Sequence, residues 1–416
     1  MDLIINNVEE AIVKTKSQLK QKLPHLKEIF QDVKNYIEEE VSMIETLVNE
    51  KKTVIPEISY EDIDNKSFHK DTVDLIKKRG CVVIRNVFSR SVIDKWNEEL
   101  EKYITENGYY EQSQHKVHLD QYFSSLQSSK PQVFGIYWSQ PQIKARQDKR
   151  MAKTKAWLNN LWIHQKKGKI IFDPNKECTY ADRIRRREPG DSTFGLSPHS
   201  DAGSIERWID EGYQKVYRHI FNGNWNDYDP FDASFRTEIS EIPSPAVSHA
   251  FRTFQGWTAL TQQGQNDGTL QLIPIVKNIV YILYRALLND VPEDSLCGAL
   301  PGRALDTSPE WHSLSLRGLT SIPLLYPGDT VWWHPDVTHA VEDIHTGTSF
   351  SNVMYIGSSP LCKKNSDYLS AQTKSFLNGE SAPDFSRENY EVNYLNRSTM
   401  DDLSVLGKKQ MGFIPW

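Results

Sequence analysis

The sequence predicts a mainly β fold with flanking helices, of the α+β class, built as one core with additions. Short runs rich in β-branched and aromatic residues, separated by Pro and Gly, recur through the later part of the chain and predict an all-β sandwich or barrel. The start of the chain instead carries apolar residues at helical spacing. A length of 416 residues allows one elaborated domain or two; we favour a single core.

Residues 1–65 are predicted to form an N-terminal helical extension packed on the body of the protein. Apolar residues recur at helical spacing from Asn7 to Val54 among many Lys and Glu, which predicts two amphipathic helices broken near Pro24. A coiled coil or a partner surface is the alternative. The irregular spacing and the proline favour packing on the chain itself.

Residues 66–416 are predicted to form the main domain, which opens with a helix, a strand and a second helix. Gly80 ends the first helix, and the β-branched run CVVI that follows predicts a buried strand. Helical insertions are expected around residues 204–221 and 277–305. The strands of the core are predicted from the runs KIIF, FRTFQGWTAL, GTLQLIPI, TSIPLLY, TVWW and SNVMYI.

Composition excludes several classes of function. A formal net charge of -6 supplies no basic field for nucleic acid or an acidic membrane surface, so we expect neither partner and take a small-molecule substrate as the default. The four cysteines are far apart and form no CxxC pair, which predicts reduced thiols. The chain has no apolar run of about 18 residues and starts with acidic residues, so we expect a cytoplasmic protein.

The segment DSTFGLSPHSDAGSIERW places His199 and Asp201 two residues apart after an extended stretch. In a strand, side chains two apart point to one face, so an imidazole and a carboxylate can converge on one metal ion. Two histidines and a carboxylate leave open coordination positions, an arrangement typical of Fe(II) oxygenases. Since most isolated HxD tripeptides are surface loops, a third ligand is needed further along the chain.

The segment YPGDTVWWHPDVTHAVED offers two histidines as the third ligand. A turn at Pro327-Gly328-Asp329 precedes the strand TVWW, and His334 and His339 follow it. In a jelly roll, a late strand runs antiparallel to the HxD strand and returns a distal histidine to the site. On the residues alone, either histidine could be that ligand.

Several of these motifs resemble a known family. The PGD turn with TVWWH, the HSD, and CVVIRNVFSRSVIDKWNEEL resemble the phytanoyl-CoA dioxygenase-like branch of the 2-oxoglutarate oxygenases. Longer stretches are similar to the YbiU-type proteins, a family of unknown function: YADRIRRREPGDSTFGLSPHSDAGSIERW, FRTFQGWTALT, DGTLQLIPI and GDTVWWHPDVTHAVEDIHTGTSFSNVMYI. The similarity covers nearly the whole chain.

The resemblance implies a double-stranded β-helix core, which is a cupin-like jelly roll, with Fe(2+) and 2-oxoglutarate as cofactor and co-substrate. It implies that His199, Asp201 and His339 are both catalytic and metal-binding, because His339 occupies the position of the family's distal histidine. His334 is then a packed or hydrogen-bonded neighbour. The implied reaction uses O2 to oxidise, most simply to hydroxylate, a small molecule while 2-oxoglutarate is decarboxylated to succinate.

The residue that anchors the far carboxylate of 2-oxoglutarate is missing from its usual place. Many such enzymes carry an Arg or Lys about ten residues after the distal histidine, but residues 340–356 contain neither. Arg252, on a strand-like run among apolar residues, is our first candidate, ahead of Arg187 in the RIRRR run. We also expect Thr258 and Ser351 to donate hydrogen bonds to the co-substrate.

Two other functions stay open on the sequence. The missing arginine favours a cupin-like metalloenzyme that has these ligands but does not use 2-oxoglutarate, and a non-catalytic binding protein on the same fold is the second alternative. Near the HSD, Glu206 and Arg207 could reach the pocket mouth or form an ion pair on a helix surface. Trp257 and Trp333 could line a pocket, although packing in the core is the simpler role.

Overall fold

The computed structural model describes residues 7–113, 132–191, 196–242, 244 and 247–416. In these ranges the chain is a mixed α+β fold with a seven-stranded and a five-stranded sheet and two small two-stranded sheets. The α+β class is confirmed. Helices are more extensive than the mainly β prediction implied. Strands are correspondingly short: several of the β-like runs contain only two to five residues of strand and continue as irregular loops.

The described helices are numbered in chain order. They are α1 Val8–Gln21, α2 Leu26–Asn49, α3 Tyr60–Asn65, α4 Lys70–Arg79, α5 Arg90–Glu106, α6 Tyr109–Ser113, α7 Gln140–Arg146, α8 Lys149–Asn159, α9 Ile205–Ile209, α10 Glu211–Val216, α11 Arg218–Phe221, α12 Asn278–Arg285, α13 Pro309–Leu316, α14 Lys363–Asn378 and α15 Val405–Gln410.

The strands in the same ranges are short. They are β1 Glu57–Ser59, β2 Cys81–Arg85, β3 Val133–Phe134, β4 Gln165–Lys166, β5 Lys169–Ile170, β6 Asp173–Glu177, β7 Ile184–Arg187, β8 His199–Ser200, β9 Gln255–Ala259, β10 Leu270–Leu272, β11 Leu305–Asp306, β12 Thr320–Ser321, β13 Thr330–Trp333, β14 His339–Val341, β15 Ser351–Tyr355 and β16 Pro360–Leu361.

The predicted break near Pro24 is confirmed, since α1 ends at Gln21 and α2 begins at Leu26. One face of α2 is fully buried at Val33, Ile37 and Val41, and it packs on α12 in one hydrophobic cluster. Apolar burial of this kind stabilises by about 25 cal/mol per Å². The first 65 residues also supply β1, which pairs in parallel with β2, so their division from the main domain stays a prediction.

The seven-stranded sheet has the order β1-β2-β13-β9-β15-β7-β3, and each pairing after β1-β2 is antiparallel. The predicted strand CVVI lies inside it as β2, with Cys81, Val82, Val83 and Ile84 fully buried. Its neighbour β13 follows a turn at Gly328, whose φ of +99° and close approach to the Phe88 carbonyl leave no room for a Cβ.

The five-stranded sheet has the order β11-β8-β14-β10-β12 and carries the two histidines of the predicted metal site, His199 on β8 and His339 on β14. In it β14 pairs antiparallel with both β8 and β10. Beside the β8-β14 pair, the hydroxyls of Ser200 and Thr338 form a buried 2.7 Å hydrogen bond between residues 138 apart in sequence. The two strands are therefore fixed by side chains as well as by the ladder.

The two ranges expected to be helical insertions contain short helices. Residues 204–221 include α9, α10 and α11, whereas in residues 277–305 the helix α12 covers only Asn278–Arg285. That these ranges are insertions into a core stays a prediction. Before the first insertion, α8 ends at Asn159 and the chain continues into the β4-β5 hairpin. Within the described ranges, none of the helices combines the length and apolar character that a bilayer span needs.

Candidate metal centre and its cavity

Three side chains from sequence-distant segments converge on one buried point. His199 on β8 and His339 on β14 are directly opposite each other in the antiparallel ladder, and their ring centroids lie 4.1 Å apart. Asp201 lies at the start of a 3-10 turn, Asp201–Gly203, that directly follows β8. The candidate ligand atoms of these three residues all lie within 4.8 Å of one another. Cross-strand pairing therefore makes the cluster.

Asp201 reaches the cluster by a different route from the predicted one. The expectation was that His199 and Asp201 share one face of a strand, but β8 contains only His199 and Ser200. The chain bends into the 3-10 turn at Asp201, and this bend directs the carboxylate back toward the imidazole. The His199 Nε2 to Asp201 Oδ1 distance is 4.0 Å.

Both histidines have the same tautomer, set by backbone carbonyls. His199 Nδ1 lies 2.8 Å from the carbonyl oxygen of Ser197, and His339 Nδ1 lies 3.2 Å from that of Val337. A carbonyl oxygen accepts only, so each Nδ1 carries the proton and each Nε2 keeps its lone pair. A histidine that binds a metal through one nitrogen commonly donates the other N–H in this way.

The electrostatics of the cluster also suit metal binding. Burial, together with the neighbouring imidazole of His199, lowers the pKa of His339 to about 4, so that ring is neutral at physiological pH. Gln255 Nε2 donates to Asp201 Oδ2 over 2.6 Å, which orients the carboxylate. The indole of Trp333 packs on the His339 ring at a centroid distance of 5.3 Å and shields it from water.

His334 makes its hydrogen bonds and ring contacts outside the ligand cluster. Its Nδ1 accepts from the Asp336 amide at 3.0 Å, so the proton resides on Nε2, which donates to the Pro230 carbonyl at 2.9 Å. The ring stacks on Trp162 at 4.7 Å and is fully buried. The structure thus brings His339, and not His334, to His199 and Asp201.

A cavity of about 130 Å³ opens onto the cluster. Besides the three candidate ligands, it is lined by aromatic side chains and by several arginines. The charged lining residues are Asp182, Arg183, Arg185, Arg207, Arg252 and Asp384. At about 30 Å³ per water molecule, the volume suits a small organic molecule.

Comparison with known proteins shows the family. A family model described as Gig2-like matches residues 6–413. The chain belongs to the Gig2-like family. The YbiU protein of Escherichia coli (strain K12) is 41% identical over 404 residues, which are 97% of this chain and 96% of that protein. The resemblance to YbiU-type proteins is therefore confirmed.

Solved structures agree with the Gig2-like membership. A protein of Salmonella typhimurium LT2, provisionally named an oxidoreductase, is 37% identical with a TM-score of 0.92 and coverage of 99% of both chains. A hypothetical protein from Escherichia coli is 39% identical with a TM-score of 0.90 and the same coverage. GlcNAc Inducible Gene 2 from Candida albicans is 27% identical with a TM-score of 0.78, covering 96% of this chain and 88% of that one.

The two arginines expected to anchor a co-substrate have different positions in this Gig2-like chain. Arg252 lines the cavity, half-buried, with its guanidinium 4.9 Å from the Tyr180 ring centroid. Arg187 is fully buried but lies outside the cavity lining, where it donates to the backbone carbonyls of Gly268, Glu342 and Asp343. Arg187 therefore holds loops together.

Thr258 and Ser351 lie outside the cavity lining as well. Thr258 alternates along β9 with the cavity-lining Gln255 and Trp257, so its side chain points to the other face of the sheet. Ser351 on β15 is fully buried and donates to Gln263 at 2.8 Å. Its oxygen also lies 3.5 Å from Arg185 Nη2, at the edge of the cavity.

Arg185 is the cavity residue that sequence reasoning left unranked. It is 2% exposed, and no carboxylate of the described residues lies within ion-pair distance of it. Burial lowers the pKa of its guanidinium, since desolvation penalises the charged form. Alternation along the RIRRR run places Arg185 opposite Ile184 but on the same face as Arg187, so the spacing alone does not single out Arg185.

The two residues considered after the HSD have different positions, one packed in the interior and one lining the cavity. Glu206 is 1% exposed and accepts from the Gly302 amide at 2.7 Å, so the ion pair on a helix surface is wrong for it. Arg207 lines the cavity. Trp257 and Trp333 are almost fully buried and also line the cavity, so they serve both roles considered for them.

Proposed function

We propose that this chain is an Fe(II)- and 2-oxoglutarate-dependent oxygenase that oxidises a small molecule. The observation that carries the proposal is the shared tautomer of His199 and His339 beside Asp201. With each Nδ1 held by a carbonyl, each Nε2 keeps its lone pair for a metal, and the candidate ligand atoms of the three residues lie within 4.8 Å of one another. This donor set is the facial triad that suits iron with open positions.

The fold of the core forms part of the proposal. The two larger sheets would be the two halves of a double-stranded β-helix. Support comes from the pairing of β8 with β14, which joins the HSD segment to a late antiparallel strand as a jelly roll requires. The provisional oxidoreductase name of the Salmonella relative is consistent with the reaction class.

His199, Asp201 and His339 would hold the iron, which when bound couples the reduction of O2 to oxidation of two organic molecules. The chain's own residues position these ligands. Gln255 restrains the Oδ2 oxygen of Asp201, and Trp333 excludes water beside His339. Both are expected to matter for metal affinity, because such outer contacts commonly contribute 10–100-fold.

Arg185 would bind the far carboxylate of 2-oxoglutarate in place of the expected Arg252 or Arg187. On the family pattern the anchor belongs to the strand after the distal histidine, which is β15 here. Arg185 is on the neighbouring β7, where it pairs with Val353, and its Nη2 lies 3.5 Å from Ser351. The adjacent strand thus supplies a guanidinium where β15 supplies a serine.

A carboxylate ligand would also stabilise Arg185 itself. A buried guanidinium without a carboxylate partner is costly, and a charge-assisted bidentate pair offsets that cost. Arg187, two residues along the strand, is satisfied by carbonyls and has no comparable need. This difference leads us to assign the anchoring role to Arg185.

The test uses the anaerobic, iron-loaded protein. Addition of 2-oxoglutarate is expected to produce a metal-to-ligand charge-transfer band, and admission of O2 is expected to release succinate and CO2. His199→Ala should abolish both signals, whereas H334Q should retain them. Iron binding without a band or succinate would contradict the co-substrate and leave a metalloenzyme of another kind.

A further inference from the structure

The cavity holds more positive charge than its acidic residues can pair. Arg183 is matched by Asp182, with Nε 3.6 Å from Oδ1. Asp384 is engaged by His249, whose Nδ1 lies 2.8 Å away, and by the Tyr180 and Ser248 hydroxyls. Asp201 belongs to the proposed metal site. No acidic residue among those that line the cavity is left for the other arginines.

Arg207 and Arg252 are the two arginines that the proposed function does not use. In the parts of the chain that the structure describes, neither has a carboxylate within 4.0 Å. A dianionic 2-oxoglutarate would balance a divalent iron, and the Asp201 carboxylate then acts on both Arg207 and Arg252, whose pKa values it raises. Both guanidinium groups are therefore charged and half-buried, and since neither forms an ion pair within 4.0 Å in the described residues, both can still accept an anionic partner.

These two arginines lie where two cavities meet. A second cavity of about 60 Å³ shares Asp201, Arg207, Arg252, Gln255 and Ser248 with the first. At about 30 Å³ per water molecule it accommodates a group of a few heavy atoms. The second cavity therefore extends the first from the metal cluster past both guanidinium groups.

The other charged residues that line the second cavity are already held in ion pairs. Arg236 pairs with Asp336 at 2.9 Å, and Asp336 also accepts from the Tyr217 and Tyr228 hydroxyls. Glu241 is paired with Lys364. A ligand in this cavity would consequently meet only Arg207 and Arg252 as cations without an acidic partner.

Aromatic rings hold both guanidinium groups in place. Arg252 lies over Tyr180 at 4.9 Å and Arg207 over Tyr213 at 5.1 Å. Stacking on an aromatic ring is also found for arginines that serve only to pack the interior. A ring face attracts a cation but leaves its charge in place, so the stacked arginine is still able to pair with an anion.

We propose that the molecule oxidised by this protein is a small organic anion, and that Arg207 and Arg252 bind its carboxylate or phosphate group beside the metal cluster. The inference rests on the proposed function for the statement that this anion is the substrate. Two planar guanidinium groups favour a ligand that can accept bidentate hydrogen bonds. A neutral sugar, alcohol or amide would offer neither guanidinium group an anionic acceptor.

Three probes of matched size are titrated into anaerobic, iron-loaded protein saturated with 2-oxoglutarate, and calorimetry measures the affinity for each probe. The probes are acetate, methylphosphonate and the neutral acetamide. Acetate or methylphosphonate is expected to bind, and the tighter of the two identifies a carboxylate or a phosphate group. Acetamide is expected to bind at least about tenfold more weakly, since one tenfold step corresponds to the loss of a single good charged contact.

Variants of the cavity arginines show which of them bind the probe. R207Q and R252Q are each expected to weaken binding about tenfold while retaining the 2-oxoglutarate charge-transfer band, and R252K should recover part of the loss. R185Q is expected to need at least about tenfold more 2-oxoglutarate to develop the band, yet to bind the probe as the unaltered protein does. Equal binding of acetate and acetamide, or unchanged binding in both R207Q and R252Q, would overturn the inference. Absence of the band in the unaltered protein overturns the proposed function instead.

Discussion

At the scale of single residues, the candidate site depends on atoms that the motif does not contain. The HSD and the later histidine identified three side chains correctly as neighbours. Their orientation comes from the Ser197 and Val337 carbonyls and from Gln255, which no motif indicated. Backbone carbonyls carry no sequence signature, so the geometry of a ligand cluster is harder to predict than its composition.

The contribution of Gln255 to the orientation of Asp201 can be tested by substitution. Replacement by Leu in Q255L removes the 2.6 Å hydrogen bond to Asp201 and should weaken Fe(II) binding by about 10–100-fold. A Fe(II) titration of the apo-protein measures this. Q271L is the matched control, because Gln271 lies on β10 of the five-stranded sheet and bonds only Ser321. Equal iron affinity in Q255L and Q271L would contradict the orienting role.

Arg185 and Arg187 form a natural pair of variants on β7. R185Q should raise the Kd for 2-oxoglutarate by about tenfold or more without changing iron affinity, since one charge-assisted pair is lost. R187Q should instead lower the free energy of unfolding by about 3 kcal/mol, because several buried carbonyls lose their donor. Titration of 2-oxoglutarate and urea unfolding separate the two effects. Loss of co-substrate affinity in R187Q alone would reverse the assignment.

At the scale of elements, prediction succeeded where a local signal was strong. The break near Pro24, the strand CVVI after Gly80, and the strand TVWW after the PGD turn all occur. Prediction was weaker for residues 204–221, where one helical region became three short helices joined at Asp210 and Tyr217. The Asp210 side chain caps α10, and α9 packs against α1 and the turn after the HSD; apolar spacing alone carries no information about such tertiary contacts.

The turn before β13 tests how strictly the backbone is specified there. Gly328 and Gly168 both have positive φ, but a Cβ at Gly328 would collide with the Phe88 backbone, whereas Gly168 faces open space. G168A should therefore cost only the conformational term of about 1–2 kcal/mol. G328A should cost clearly more, as measured by urea unfolding. Similar losses in the two variants would show that the turn can move away from Phe88.

At the scale of the whole molecule, buried neutral histidines link stability to pH. Burial lowers the pKa of His312, His334 and His339 to about 4 each. Each ring is protonated in the unfolded chain below a pKa of about 6.5 but stays neutral in the folded protein until about pH 4. Unfolding therefore takes up protons between these values, and stability falls as the pH is lowered from about 6.5 to 4.

His334 isolates this effect because it lies away from the proposed metal ligands. Its shift predicts that about 2 kcal/mol of stability is lost between pH 7 and pH 5. H334Q should unfold more easily at pH 7 but show a smaller loss on acidification, measured by urea unfolding of the metal-free protein at both pH values. H69Q, which alters an exposed histidine, should retain the wild-type pH dependence. An unchanged slope in H334Q would show that its ring does not titrate below its normal range.

The sequence predicted the α+β class, the three clustered side chains and the family, and these came from motif positions and periodicity. The pairing of arginines could not be predicted in the same way. Arg252, Arg187 and Arg185 look alike in sequence, yet one faces the cavity, one holds carbonyls and one is buried without a carboxylate. Partner identity is a property of the folded chain, because it depends on residues such as Glu342 that are far away in sequence.

The direct pairing of His199 with His339 has a consequence for biosynthesis. The cluster is completed only when β14 reaches β8, which are connected by more than a hundred intervening residues, including α9 to α13. Closing so long a connection requires much of that intervening chain to be in place. During translation, residue 339 must leave the ribosome before the site exists. We therefore expect iron to be acquired only after β14 has been synthesised and has paired with β8, rather than to guide early folding.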